Sequence, residues 1–159
     1  MITDNDLLFL ERAIDLSRLG MQQGNGGPFG CVIVQHNEII GEGCNMVTSQ
    51  NDPTAHAEVV AIRAACKKLN SFHLTHCTIY TSCEPCPMCL GAIYWARPDK
   101  VIFANTREEA AAIKFDDDLI YREINTALSE RKIPFIHSPH PKAKEIFEIW
   151  KNMEDKQPY

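Results

Sequence analysis

TIYTSCEPCPMCLGAIYWARPDKVIFA, residues 78–104, is the stretch that decides the fold. Thr78 to Thr81 reads as a short strand and Pro87 to Trp95 as a helix. Arg97-Pro98-Asp99 stops that helix, and Lys100 to Ala104 reads as a further strand. Strands joined through a helix pair in parallel by a right-handed crossover. Upstream, Thr54 to Leu69 is a helix rich in Ala, Val and Ile, preceded by a polar loop from Val47 to Pro53. Phe29 to Gln35 and Ile39 to Asn45 read as strands around a His36-Asn37-Glu38 turn, an antiparallel hairpin. Gly24-Asn25-Gly26-Gly27-Pro28 forces a loop before them. Residues 5–22 form an amphipathic helix capped by Asp4 or Asn5, with Leu7, Leu10, Ile14 and Ser17 on one face. Downstream, short helices are expected between Glu108 and Arg131, a last strand at Ile133 to Ile136, and a helix from Lys142 to Met153 with Ile146, Phe147, Ile149 and Trp150 on its apolar side. The expected fold is α/β, a three-layer α/β/α single domain over residues 1–159 around a mixed five-stranded sheet.

The 159-residue length allows a core without disulfide support. No apolar run is long enough for a transmembrane helix, and the acidic N-terminus lacks the pattern of a signal peptide. Seven cysteines, an odd number, then imply reduced thiols and a cytoplasmic location. Cys31, Cys44, Cys66 and Cys77 sit in apolar surroundings and read as small buried hydrophobes. The net charge of -5 weighs against an extended nucleic-acid interface, because phosphate backbones call for a basic patch.

Two segments carry chemistry, Thr54-Ala55-His56-Ala57-Glu58 and Pro85-Cys86-Pro87-Met88-Cys89. Each lies at the start of a helix, after a loop or strand end. Cys86 and Cys89 are three apart, so both sulfurs face one point from a first helical turn. Pro87 suits the first helical position, and a helix N-terminus favours thiolate over thiol. With His56 they make a three-ligand zinc site, one ion per chain, whose fourth position stays open to water. Zinc brings the pKa of such a water to about 7. Glu58, two residues from His56, is then placed to take the water's proton and hand it to a ring nitrogen and a leaving amine. The sharpest rival makes Cys83 a fourth ligand in a closed His/Cys3 site; that leaves Glu58 without a role. The chain is then a zinc-binding module without catalysis.

His56-Ala57-Glu58 with Pro85-Cys86-Pro87-Met88-Cys89 resembles the cytidine deaminase superfamily, whose zinc signature has this form. Gly26-Gly27-Pro28-Phe29-Gly30, Asn51 to Glu58, Thr81 to Pro98, Phe115-Asp116-Asp117 and the final Tyr159 resemble the small bacterial guanine deaminases over nearly the whole chain. The resemblance implies a cytidine-deaminase-like fold and hydrolysis of guanine to xanthine and ammonia. It implies a homodimer whose C-terminal segment, about residues 137–159, crosses to the partner. Carried over by position, Phe29 stacks on the purine and Asn45 hydrogen-bonds it. Asp117 contacts the amino group and assists proton transfer, and Tyr159 closes the partner's pocket. The backbone N–H groups of Ala57 and Cys86 contact the base or the water. Asp116 and Asp118 compete with Asp117 for the pocket.

The substrate is thus a small purine base, with water as co-substrate and neither nucleic acid nor membrane as partner. Two alternatives stay open: deamination of tRNA adenosine, and deamination of another aminated purine, nucleoside or heterocycle.

Overall fold

Two consecutive left-handed residues, His36 (φ 51°) and Asn37 (φ 61°), turn the chain between β1 (Gly30–Gln35) and β2 (Glu38–Cys44). Positive φ at both central positions gives a hairpin turn whose twist matches that of the strands it joins. The structure is a computed structural model that describes residues 2–159. They form two compact units, the first ending at Asp117 and the second running Asp118–Tyr159.

In the first unit, β1 pairs antiparallel with both β2 and β3 (Cys77–Cys83), and β3 pairs parallel with β4 (Lys100–Asn105), in the order β2-β1-β3-β4. The strand-helix-strand unit read from residues 78–104 is therefore the parallel part of a mixed sheet. On one face, Cys31, Ile33, Cys77 and Ile79 pack with Ala57, Ala61 and Ala65 of α3 (Ala57–Leu69) and Ile93 and Ala96 of α4 (Pro87–Ala96). On the other, Val32, Val34, Tyr80 and Ile102 pack with Phe9, Leu10, Ala13 and Leu16 of α1 (Asp4–Gln22). The period-2 alternation of the strands divides the core into these two clusters, and the three layers follow.

The sheet has four strands, not five. Ile133-Pro134-Phe135-Ile136 is irregular, with Ile133 72% and Ile136 88% exposed. Pro134 has no N–H to donate to a ladder, so an apolar run around it does not make an interior strand. The α1 cap is Thr3, which with Asp6 forms a capping box, rather than Asp4 or Asn5. The buried stripe of α1 runs through Ala13, Ser17 and Gly20, and Leu7 and Ile14 are exposed. Small residues let α1 lie close to the sheet. The loop after β2 contains one helical turn, α2 (Val47–Gln50). Cys31 and Cys77 are buried as expected, while Cys44 and Cys66 are half-buried. α5 (Arg107–Ala112) follows β4.

The second unit holds α6 (Asp118–Asn125), a 3-10 turn at Leu128–Glu130 and α7 (Pro141–Asn152). Pro141 takes the first helical position, and His140 caps α7 by accepting from the Lys142 N–H at 3.2 Å. Ile146, Phe147, Ile149 and Trp150 are exposed on the single chain. Among the described residues, no helix is long and apolar enough to cross a membrane.

Asp6 ties α1 to the sheet. Its buried carboxylate accepts from the Tyr80 hydroxyl (2.6 Å), the Thr3 N–H (2.9 Å) and hydroxyl (2.8 Å), and Lys100 Nζ (3.3 Å). The Tyr80 hydroxyl above all, then the Thr3 groups, hold its pKa well below the carboxylate range. A folded-state pKa below the unfolded value of about 3.9 gives stability that is full above about pH 4 and lost progressively below it. Asp6→Asn is therefore expected to lower the urea midpoint at pH 7, and the deficit shrinks as the pH falls below about 4. A deficit that stays constant across that range overturns this assignment.

Candidate active site

Both chemistry-bearing segments occupy helix caps. His56 is the N-cap of α3 and Cys86 the N-cap of α4, both extended (ψ 155° and 168°), and neither side chain bonds its own helix backbone. Ser, Thr, Asp and Asn ordinarily hold such positions to satisfy free N–H groups. Residues that forgo that bond at two neighbouring helix starts are placed for something else, since local rules break most often at functional sites. Pro87 sits in the first turn of α4, where its missing N–H costs nothing.

The side chains converge. His56 Nδ1 lies 3.5 Å from Cys86 Sγ and 3.5 Å from Cys89 Sγ, and the three donor atoms all lie within 4.8 Å of one another. Tetrahedral zinc, with bonds of about 2.3 Å to sulfur and 2.0–2.1 Å to nitrogen, needs nitrogen and sulfur about 3.5–3.6 Å apart and the two sulfurs about 3.8 Å apart. The donor set fits zinc in both chemistry and spacing, with three ligands and an open position. The hydrogen bond from Cys89, then that to His56, brings the Cys86 pKa down to about 4, and that of Cys89 is raised. His56 is raised, chiefly by its bond to Cys86.

Cys83 does not join this group. It is buried at the end of β3, its Sγ faces the Thr106 carbonyl at 3.7 Å, and burial foremost pushes its thiol up to about 11. The closed four-ligand arrangement is thereby excluded, and the carboxylate it left without a role stands beside the ligands.

Glu58, in the first turn of α3, is 6% exposed. Its Oε1 accepts from the Thr81 hydroxyl at 3.3 Å and its Oε2 faces Cys89 Sγ at 3.4 Å. Burial, as the largest effect, raises its pKa above the ordinary carboxylate value. A carboxylate whose pKa is raised is a stronger proton acceptor, as a group that takes a proton and returns it requires.

Phe29 and Asn45 flank the open side of the hairpin. The Phe29 carbonyl accepts from the Asn45 N–H at 2.9 Å, and Asn45, 5% exposed, is oriented by Oδ1 accepting from the Val47 N–H at 3.2 Å. Ala57 is fully buried as the first residue of α3. Asp117 is half-buried, and its carboxyl is raised by burial first and by the negative charge at Cys86 second. Asp116 is exposed, and Asp118 opens α6 with an ion pair to Arg122 at 3.1 Å. Asp117 thus feels the charge at Cys86. Tyr159, in the second unit, is 70% exposed.

The sequence reading passed over Thr81. Strand periodicity marks it, because Thr81 lies two residues beyond Ile79, whose side chain faces α3.

Comparison with known proteins agrees with this geometry. The cytidine and deoxycytidylate deaminase zinc-binding region matches residues 3–105. Guanine deaminase of Bacillus subtilis is 52% identical over 98% of this chain and 99% of its own length. Its crystal structure superposes with a TM-score of 0.94 at 52% identity, covering 96% of this chain and 98% of that one. A tRNA-specific adenosine deaminase of Buchnera aphidicola is 42% identical, over 63% of this chain and 61% of its own. Guanine deaminase from Nitrosomonas europaea superposes with a TM-score of 0.66 at 27% identity, over 74% of this chain and 66% of that one. With two helix starts presenting one imidazole and two thiols at zinc spacing, and the family match spanning most of the chain, this protein belongs to the zinc-dependent cytidine and deoxycytidylate deaminase family.

Proposed function

We propose that this enzyme hydrolyses guanine to xanthine and ammonia in the cytoplasm. One observation carries the substrate: likeness to a guanine deaminase runs the full length of both chains, whereas likeness to the tRNA adenosine deaminase stops at about three fifths of each. The net charge of -5 supports a free base over an RNA stem-loop.

His56, Cys86 and Cys89 would hold the zinc. When bound, it acidifies a water to a pKa of about 7 and so supplies a nucleophile at neutral pH. The water adds to the ring carbon that bears the amino group. Glu58 takes the water's proton and delivers it to the adjacent ring nitrogen. It then carries the remaining hydroxyl proton to the amine, the C–N bond breaks, and ammonia leaves a new carbonyl. The Thr81 hydroxyl donates to the Glu58 carboxylate and fixes its orientation. Phe29 stacks on the purine, and Asn45 and the Ala57 N–H hydrogen-bond its edge. Asp117 accepts from the amino group and assists the second transfer.

The working unit is a homodimer in which residues of about 137–159 cross to the partner and Tyr159 closes its pocket. The exposed apolar side chains of α7 and the exposed Tyr94 and Trp95 of α4 support association.

Ammonia release from guanine, adenine, cytosine, guanosine and a tRNA anticodon stem-loop tests the substrate, run on the full chain and on one ending at Gln157. Guanine is expected to be fastest, and the shortened chain is expected to lose most of that turnover. Turnover of tRNA adenosine without guanine turnover overturns the substrate and leaves the zinc chemistry standing. Full guanine turnover by the shortened chain overturns the role of Tyr159.

A further inference from the structure

Phe115 and Phe29 meet edge to face, with ring centroids 4.9 Å apart and planes at 89°. Both belong to the first unit but come from opposite ends of it, and three local features bring them together. The first is the end of α5. The Phe115 N–H bonds the Ala110 carbonyl at 3.0 Å and the Lys114 N–H bonds the Ala111 carbonyl at 2.9 Å, with Lys114 left-handed at φ 73°. This is a Schellman ending, in which the residue after the left-handed one carries the apolar contact. Here a lysine holds the position that glycine usually takes, and the contact made is with Phe29.

The second feature is Gly27. A Cβ there would lie 2.7 Å from Phe115 Cζ and 3.0 Å from Phe29 Cε2. A side chain at 27 would occupy the space where the rings meet. The third is the backbone of Phe29. Its N–H bonds the Gly27 carbonyl at 2.8 Å, and its carbonyl accepts from Asn45, so the ring retains only its own torsions. One side of that ring rests on the core beneath β1.

We propose that Phe115 is a positioning residue that fixes the Phe29 ring for stacking on the base, and that position 27 is glycine so that the two rings can meet. This rests on the proposed stacking role of Phe29. A phenyl ring offers a base its full face only while its plane is held, and the perpendicular contact with the Phe115 ring holds it.

Steady-state kinetics with the base that the wild type prefers test this, comparing Phe115→Ala, Phe115→Tyr, Phe29→Ala and the double Ala variant. An aromatic pair of this kind predicts a KM raised about 2- to 12-fold in Phe115→Ala, with kcat within about twofold of wild type. Phe115→Tyr keeps the ring edge and is expected to restore KM. In the Phe29→Ala background, Phe115→Ala is expected to have no further effect, because the residue it acts through is gone. An equal effect in both backgrounds, or a fall in kcat at unchanged KM, overturns the proposal in favour of anchoring the Asp117 segment.

A readout without substrate separates this from the choice of base. The edge protons of one ring, held over the face of the other, resonate upfield in the NMR spectrum of protein labelled with 13C-phenylalanine and 13C-tyrosine. That shift is expected in the wild type and in Phe115→Tyr, and is expected to be lost in Phe115→Ala. Its absence in the wild type overturns the pairing whatever the substrate is. If the shift is present and guanine is inert, only the assignment of the base fails.

Discussion

Glu58→Gln is expected to lower kcat by about 10²- to 10⁴-fold while zinc remains at one ion per chain. Glutamine keeps the shape and can still accept from the Thr81 hydroxyl, so the first turn of α3 and His56 stay in place. What it loses is the ability to take a proton and give it back. The donors that fit the metal are the His56 nitrogen and the sulfurs of Cys86 and Cys89, none of which the substitution alters. Metal analysis together with kcat separates the proton-transfer role from a structural one. A variant with wild-type turnover removes Glu58 from the mechanism, and one that loses zinc shows that Glu58 acts by supporting the ligands.

Gly43→Ala is expected to destabilise the protein by about 2–3 kcal/mol, seen as a Tm lower by roughly 4–12 °C. A Cβ at Gly43 would lie 2.5 Å from the Ala57 carbonyl oxygen and 2.8 Å from the Ala61 nitrogen. Both are backbone atoms of α3 and cannot rotate aside, so the helix itself must move. The Ala57 end of α3 follows His56 and precedes Glu58, so the displacement is also expected to weaken zinc binding. Calorimetry and a competition assay with a chromogenic chelator read the two effects. An unchanged Tm with unchanged zinc affinity shows that β2 and α3 are not in this close contact.

Legibility differed by feature. Helix existence followed from periodicity, and α3 and α4 lie within a few residues of their expected spans. The ligands were legible because their spacing is local: Cys86 and Cys89 share one helical turn, and Glu58 follows His56 by two residues. Strand number was not. Ile133 to Ile136 is apolar, but an apolar run becomes a strand only when a neighbour accepts its hydrogen bonds, and Pro134 cannot donate its share. Of the α1 stripe read as Leu7, Leu10, Ile14 and Ser17, Leu10 and Ser17 face the sheet, whereas the close approach of the helix buries Ala13 and Gly20 and leaves Leu7 and Ile14 exposed. The Phe29–Phe115 pair was invisible because 86 residues separate its members (115 − 29) and no short-range pattern links them.

By itself the sequence determined the chemistry of the donors, the zinc family and the order of the four strands with α1, α3 and α4 around them, since each depends on residues within one turn or one strand. Tertiary structure alone decided that β1 lies beside β3, and that Cys83 turns away while Thr81 reaches Glu58. The reason is physical. His56 and Cys86 lie 30 residues apart, and their 3.5 Å separation exists only once β1 and β3 pair and α3 and α4 pack on one face of that sheet.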